Sequence, residues 1–311
     1  MRATNVSAST ARLGWIAAAA VAFLLPDALL PSSGVYAQAP PTIEILALIR
    51  DFQERTAPGG HPDFERNNGL NLGGLTEGAL AASLDSHLKP VFAGGVKFDK
   101  TGGTYTQYMD SSGREICWSL YDPALGDTPG VLDPNRPSAF TNEVNFNEWY
   151  RDVPGVNLST VITLTMVLQA DGTYVFDDKT DPAYSSKGGF FPIDGQLFGN
   201  SSANPSHNFH FTTEIHCRFV YDALAGQIFK FTGDDDVWVY INGELVIDLG
   251  GTHGARAQFL EVNRLGLAHG EIYTISLFHA ERQTNSSNFR FQTNLILEDA
   301  LYTASISNPC D

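Results

Sequence analysis

Apolar side chains alternate with polar ones through most of the second half of the chain. A period of two residues is typical of antiparallel β-strands that bury one face. The alternating segments are Ile162–Leu168, Tyr174–Phe176, Ile215–Tyr221, Tyr273–Leu277 and Phe289–Leu297. Turn-forming residues separate nearly all of them, and no βαβ rhythm or internal repeat is visible. The pattern predicts an all-β fold, an antiparallel β-sandwich or barrel with long loops and few short helices.

Two segments have the composition of short helices. Residues 78–88 are rich in Ala and Leu, and Asn142–Tyr150 starts with a residue that favours helix N-termini. Residues 67–100, which are rich in Gly and Leu, fit an insertion or a lid, and the sequence assigns them no role.

The composition is that of a globular protein with a strongly acidic balance. The 311 residues are 43% hydrophobic and 17% charged, and the formal net charge is −16. This charged fraction is too low for a disordered chain. A negative field of this size repels nucleic acid and anionic lipid, but it repels neither cations nor neutral ligands.

The N-terminus has the features of an export signal. Two basic residues, Arg2 and Arg12, precede an apolar run from Leu13 to Leu25, and Val35-Tyr36-Ala37 is a small-residue cleavage site before Gln38. The run is too short to cross a bilayer comfortably, although an uncleaved membrane anchor is the alternative. We therefore predict a signal peptide over residues 1–37 and a protein that is secreted or held at the cell surface.

Cysteine usage leaves the redox state open. Cys117, Cys217 and Cys310 allow one disulfide and one free thiol, with three alternative pairings. Buried, unpaired thiols are equally compatible with the sequence.

An acidic triplet, Asp234-Asp235-Asp236, stands directly before an apolar run that leads to Asn242-Gly243. Asn-Gly between alternating apolar runs predicts a type I′ hairpin turn, because both central residues must accept positive φ. The triplet is therefore expected where one hairpin strand begins. Adjacent aspartates repel one another, and Lys230 is the only basic residue close by in the sequence. A hard cation such as Ca²⁺ would neutralise them.

Several further blocks follow one another in the order of a known family. They are Ile49–Phe52, His61–Glu65, Glu148–Asp152, Gly189–Gly195, His207–Glu214, Phe278–Arg282 and Ser287–Arg290. Together with the acidic hairpin and His253, they resemble the fibro-slime domain over roughly Ile43 to Leu297. That domain is similar to the PA14 superfamily, a β-sandwich of extracellular proteins that includes calcium-dependent sugar-binding adhesins. The resemblance implies a linker over 38–42, a PA14-like domain over 43–298 and a C-terminal tail over 299–311.

The resemblance also implies a metal site. In the adhesin branch, a pair of adjacent aspartates joined by a cis peptide coordinates calcium, and this pair falls on Asp234 and Asp235, with Asp236 as a third candidate ligand. A later loop, here Glu281 to Asn288, supplies asparagine and main-chain oxygens and contacts the glycan, which indicates Asn285 and Asn288. The sequence does not settle whether the Asp234–Asp235 peptide is cis.

Candidate contacts to the glycan lie on the same segments. They are Trp238, His253, Glu281, Arg282 and Ser287. An exposed aromatic ring can stack on a pyranose face, but a tryptophan in a strand is more often part of the core.

Other types of site have weaker support. An EF-hand that started at Asp234 would have Val239 and Leu245 at its sixth and twelfth positions, where glycine and an acid are needed. His207, His210 and His216 lack a zinc-binding helical frame, so structural hydrogen bonding is favoured. No nucleophile elbow, phosphate loop or dinucleotide fingerprint is present.

A glycoside hydrolase needs two carboxylates at a fixed separation. The available candidates are Glu143, Glu148, Asp152 and Glu214, and their spacing singles out no pair. The sequence therefore predicts a secreted, non-enzymatic protein that binds a polysaccharide or cell-surface glycan through Ca²⁺. The alternative is an extracellular-matrix or surface protein with a fold-stabilising calcium ion and other extracellular proteins as partners.

Overall fold

The computed structural model describes residues 39–66, 72–202 and 204–299. The predicted signal peptide, nearly all of the C-terminal tail and Cys310 lie outside these residues. Cys117 and Cys217 are both buried free thiols. No helix within the described ranges is long and apolar enough to cross a membrane.

The regular secondary structure of the described residues is mainly β-strand. The strands are β1 (Thr42–Phe52), β2 (Thr76–Glu77), β3 (Val96–Phe98), β4 (Lys100–Thr101), β5 (Thr104–Tyr105), β6 (Leu132–Asp133), β7 (Asn157–Leu168), β8 (Tyr174–Asp177), β9 (Phe211–Val220), β10 (Ile228–Gly233), β11 (Asp236–Ile241), β12 (Glu244–Leu249), β13 (Arg256–Glu261), β14 (Ile272–Glu281), β15 (Phe289–Thr293) and β16 (Glu298–Asp299). One α-helix, α1, spans Glu143–Phe146, and 3-10 turns span Trp118–Leu120, Pro123–Leu125, Ser185–Lys187 and Val262–Leu265.

One antiparallel sheet dominates the part of the chain that is described. Its order is β12-β11-β14-β9-β1-β7-β8-β15-β10-β13, and β16 pairs with β9. The two end strands, β12 and β13, lie beside each other, so the sheet folds back on itself into a nearly closed sandwich. The predicted all-β class is confirmed, and each alternating segment overlaps a strand of this sheet.

The Asn-Gly hairpin forms as expected. Asn242 has a φ of 52° and Gly243 a φ of 80°, and they join β11 to β12 with Ile241 opposite Glu244. Both central residues are therefore left-handed, as a type I′ turn requires.

Strand β11 is buried on both faces, which explains its unbroken apolar sequence. Val237, Val239 and Ile241 face the interior of the sandwich. Trp238 and Tyr240 face a second core on the outside of the sheet. This second core is mainly aromatic, and its other members include Phe52, Phe64, Phe140, Phe146, Trp149, Tyr150 and Phe278.

One helix prediction holds and one is wrong. Asn142 caps α1, since its side chain accepts a hydrogen bond from the Asn145 amide at 3.0 Å, although the helix ends already at Phe146. Residues 78–88 are not helical. Their main chain bonds instead to the hairpin, where the Leu84 amide donates to the Gly243 carbonyl and the Leu245 amide donates to Ala82. Burial against the second core overrides the helix propensity of this segment.

The topology brings three connections to one end of the sandwich. β10 and β11 follow each other in sequence but lie far apart in the sheet order, and the same is true of β12 and β13 and of β14 and β15. The connections 234–235, 250–255 and 282–288 therefore all cross between the two halves of the sheet. The candidate site lies where they meet.

Candidate metal and ligand site

Hydrogen bonds join the three connections around Asp235. Its Oδ1 accepts from the His253 amide at 3.1 Å, and its Oδ2 accepts from the Arg282 amide at 3.3 Å. The preceding residue, Asp234, donates its own amide to the Asn288 carbonyl at 3.2 Å. The peptide between Asp234 and Asp235 is cis. The first and third connections therefore lie against each other.

The carboxylate of Asp234 faces the connection after β14. It accepts hydrogen bonds from the amide nitrogen of Asn288 at 2.5 Å, from the Asn288 side chain at 2.7 Å and from the Ser286 hydroxyl at 2.9 Å. Asn288 is therefore brought to the aspartate pair, as expected, and Ser286 is a contact that the sequence did not indicate.

Asp235 borders a cavity of about 220 Å³. The cavity is lined by Asp235, Thr252, His253, Gly254, Gln283, Asn285 and Ser286. Three of these, Asp235, His253 and Asn285, were site candidates from the sequence alone. Burial raises the pKa of Asp235 well above its usual value; Arg282 opposes this, and the charges of Asp236 and Asp234 add to it.

Two buried polar atoms at the cavity have no hydrogen-bond partner among the described residues. They are the Thr252 hydroxyl and the Gln283 side-chain nitrogen, both from lining residues. Directly before this loop, Glu281 is fully buried, and its Oε2 is also without a partner. Burial, and then the charges of Asp235 and Asp234, raise the pKa of Glu281 well above its usual value. Groups of this kind are normally satisfied by a ligand, an ion or water.

The carboxylates at this site could hold a hard cation only together with neutral oxygen ligands. Within the described ranges, no three His, Cys, Asp or Glu side chains are grouped so that they could hold a metal ion. Beside Asp234 and Asp235, a cation would need oxygens from Asn285, Asn288 or the main chain. Calcium accepts such mixed sets of carboxylate, amide and carbonyl oxygens.

Asp236 and Arg282 form a separate structural pair. Both side chains are fully buried, and Arg282 Nε lies 2.6 Å from Asp236 Oδ2. The other oxygen of Asp236 accepts from the Gly251 amide. The guanidinium lies over the rings of Phe140 and Trp149, at 5.0 and 4.8 Å. Neither Asp236 nor Arg282 lines the cavity, so the structure gives both a supporting position and not direct access to a ligand.

Two other sequence candidates are part of the interior. Trp238 is fully buried in the aromatic core, where its Nε1 donates to Asp248 at 3.0 Å, so its ring has no face free for a sugar. Ser287 is buried and donates its hydroxyl to the Phe190 carbonyl at 2.7 Å. His253 does line the cavity, and its ring nitrogens lie 3.0 Å from the carbonyls of Gly254 and Leu249.

Two of the four candidate acids of a hydrolase, Asp152 and Glu214, are held in ion pairs. Arg50 binds both Asp152 and Glu214, at 2.8 and 2.7 Å, and Glu214 also contacts Lys89 and His216. Of the remaining histidines, His210 lies 3.4 Å from Glu65 and His207 lies 2.9 Å from Asp194. All three histidines therefore have side-chain hydrogen-bond partners, as favoured from the sequence.

A comparison with models of protein families matches the C-terminal part of this chain. A family model described as "PA14 domain" matches residues 192–308. This part of the chain is similar to a PA14 domain. This match contains all three connections of the site and confirms the PA14-like resemblance.

Curated proteins that are similar to this chain come from Dictyostelium discoideum. Protein psiQ is 35% identical over 212 residues, covering 64% of the chain and 21% of psiQ. Protein psiD is 38% identical over 185 residues, covering 58% of the chain and 34% of psiD. The chain therefore matches only a part of these longer relatives.

Solved structures give weaker likenesses. The PA14 domain of MpAFP Antifreeze protein is 17% identical with a TM-score of 0.22, covering 32% of the chain and 49% of that domain. Beta-glucosidase from Kluyveromyces marxianus in complex with glucose is 19% identical with a TM-score of 0.21, covering 32% of the chain and 12% of the enzyme. At these scores the likenesses carry no argument about the site.

Proposed function

We propose that this protein is a secreted, calcium-dependent carbohydrate-binding protein, similar to adhesins and lectins, that acts on a polysaccharide or a cell-surface glycan. One observation carries the proposal. The cavity at the meeting point of the three connections is bordered by the buried carboxylate of Asp235, and two of its lining residues, Thr252 and Gln283, have buried polar atoms that find no partner in the part of the chain that is described.

Charge balance supports a cation at this place. Asp234, Asp235 and Glu281 are buried close together, while the nearby Arg282 is already paired with Asp236. Buried carboxylates without compensation are unfavourable, and they protonate unless a positive charge is present. Asp234 and Asp235 would hold Ca²⁺, with Asn285, Asn288 and main-chain carbonyls completing the ligand set. Bound calcium supplies open coordination positions that hydroxyl oxygens of a sugar can fill.

The lining of the cavity determines how a sugar would be held. Thr252, Gln283 and Asn285 offer hydroxyl and amide groups, and the lining has no Phe, Tyr or Trp ring. Recognition would therefore rest on hydrogen bonds and metal coordination, and Gln283 and Asn285 are the residues placed to orient the sugar. The sequence features of the N-terminus support export, in agreement with an extracellular role.

A matrix or surface protein with a purely fold-stabilising calcium ion is the second candidate. It is favoured by the depth of Asp234 and Asp235, which are only 2% and 5% exposed. An ion held so deeply would order the three connections even without a ligand.

Calcium titration by calorimetry tests the metal step. The secreted chain, from Gln38, is expected to bind Ca²⁺ stoichiometrically at millimolar ion or below. Asp234→Asn is expected to weaken this binding by about a hundredfold, since a carboxylate ligand becomes a neutral amide. The exposed Glu271→Gln variant is the control. Absence of calcium binding by the folded chain would exclude the proposed role of the ion.

A further inference from the structure

A second cavity, of about 370 Å³, lies on the loop that follows β1. It is lined by Arg55, Thr56, Gly60, Pro62 and Arg66. Two arginines on one cleft are unusual for a chain whose net charge is −16. Nothing in the calcium proposal uses these residues.

Neither arginine has a side-chain partner among the described residues, and the Nε of Arg66 is buried without one. The other described arginines all contact a carboxylate, a main-chain carbonyl or an aromatic ring. These are Arg50, Arg114, Arg136, Arg151, Arg218, Arg256, Arg264, Arg282 and Arg290. Arg55 and Arg66 thus stand apart as guanidinium groups available for an outside partner.

Neither of the neighbouring glutamates forms a salt bridge with Arg55 or Arg66, because the carboxylate oxygens of each are directed to other donors. Glu54 accepts hydrogen bonds from the hydroxyls of Ser201 and Ser202. Glu65 accepts one from the Thr284 amide at 2.6 Å. Both glutamates are buried.

Main-chain hydrogen bonds close the loop and hold the backbone of Arg55 in place. The Arg55 amide donates to the Phe64 carbonyl at 3.1 Å, and the Gly60 amide donates to Ala57 at 2.9 Å. A Cβ on Gly60 would lie 1.9 Å from the Glu54 carbonyl oxygen, so only glycine fits at this close approach.

The same loop is bonded directly to the metal loop. The Glu65 amide donates to the Arg282 carbonyl at 2.9 Å, and Thr284 donates back to the Glu65 side chain. Arg66 is the next residue after Glu65, while Gln283, beside Thr284, lines the first cavity. The arginine cleft is therefore fastened to the loop that borders the proposed calcium site.

We propose that Arg55 and Arg66 form an oxyanion subsite that recognises a carboxylate or sulfate group on the bound glycan. Guanidinium groups bind such oxyanions through paired, charge-assisted hydrogen bonds. An acidic polysaccharide would be repelled by the overall charge of this protein, so its binding requires positive groups at the points of contact. The subsite rests on the proposed function for its glycan, but oxyanion binding by the cleft does not itself need calcium.

The test compares two charged ligands, one with carboxylates and one with sulfate, with an uncharged ligand. Binding of trigalacturonate, of its methyl ester and of a sulfated neutral trisaccharide is measured by calorimetry, in calcium and in chelator. The wild-type chain is expected to prefer a charged ligand over the uncharged one by roughly tenfold or more. Arg55→Ala/Arg66→Ala is expected to remove this preference. Preference for trigalacturonate identifies carboxylate as the recognised group, and preference for the sulfated sugar alone identifies sulfate.

The matched control is Lys100→Ala/Lys179→Ala, which removes two exposed positive charges elsewhere and is expected to keep the preference. Loss of the preference in this control would overturn the subsite, since overall charge would then explain the effect. The subsite would also be overturned if the arginine variant kept the preference for a charged ligand, or if wild type showed no such preference. The arginine variant is expected to bind calcium normally. A preference that persists in chelator, in a chain that binds no calcium, would support the subsite while the calcium proposal fails.

Discussion

Arg282 and Asp236 form an ion pair in which both side chains are fully buried, with Nε 2.6 Å from Oδ2. Arg282→Met removes the positive charge and leaves Asp236 buried without its partner. We expect this change to lower the free energy of unfolding by about 3–5 kcal/mol, as for other broken buried pairs. Urea unfolding in chelator measures it without a contribution from calcium.

The double variant Arg282→Met/Asp236→Asn separates charge from packing. Asparagine can still accept from the Gly251 amide but carries no charge. Recovery of a large part of the lost stability is expected. If the double variant is less stable than Arg282→Met, the unpaired charge of Asp236 is not the reason for the stability that the single variant loses.

The effect of Asp235→Asn on the free energy of unfolding should change sign between chelator and calcium buffer. Burial raises the pKa of Asp235, so without a cation the ionised carboxylate is unfavourable, and the amide variant is expected to be as stable as wild type or more stable by about 1 kcal/mol. With calcium at a hundred times the dissociation constant, wild type gains about 2.7 kcal/mol and the variant gains little. Thermal unfolding in chelator and in calcium gives the comparison. Equal calcium stabilisation of both chains would show that Asp235 is not a ligand.

Gly243→Ala tests the hairpin. Gly243 has a φ of 80°, and nothing lies within 4 Å of an added Cβ, so only the backbone conformation is affected. The expected loss is about 1–2 kcal/mol. Gly254→Ala is the matched control, since its added Cβ also has open space and its φ is not left-handed. Equal effects of the two changes in urea unfolding would contradict this explanation.

Glu77 predicts a pH dependence of stability. Burial, and then the charge of Asp248, raise the pKa of Glu77 from 4.5 to about 7. The folded chain therefore holds this proton more tightly than the unfolded chain, so the contribution is fully present below pH 4.5 and is lost as the pH rises through about 7. Compared with Glu77→Gln, wild type should lose about 1 kcal/mol across this range, after allowance for solvent screening. Urea unfolding midpoints in chelator at pH 4.5 and 7.5 measure this loss, with Glu271→Gln as control. If the stability of wild type relative to Glu77→Gln increases as the pH rises, the predicted direction is wrong.

The strands and the hairpin could be predicted from the sequence because they depend on local patterns. Alternation sets which face of a strand is buried, and Asn242-Gly243 sets the turn. Residues 78–88 could not be predicted in the same way. Their helix-forming composition is overridden by contacts with the hairpin and with the aromatic core, which are distant in sequence.

The candidate site was predictable only in part for the same reason. Asp235, His253 and Asn285 lie on three separate connections, and motif resemblance located them. A core position for Trp238 was favoured from the sequence, but the second core against which it packs is assembled from residues that are distant in the chain. Thr252 and Gln283 became candidates only when the fold placed their unsatisfied polar atoms at one cavity.

The central claim is calcium-dependent recognition of a glycan, and a glycan array tests it most directly. A chain that starts at Gln38, after the predicted signal peptide, is screened in calcium and in chelator beside Asp235→Asn and Glu271→Gln. We expect selective binding by wild type and Glu271→Gln in calcium only, and no binding by Asp235→Asn. Equal binding in both buffers, or no glycan bound by a chain that is folded and loaded with calcium, would contradict the account.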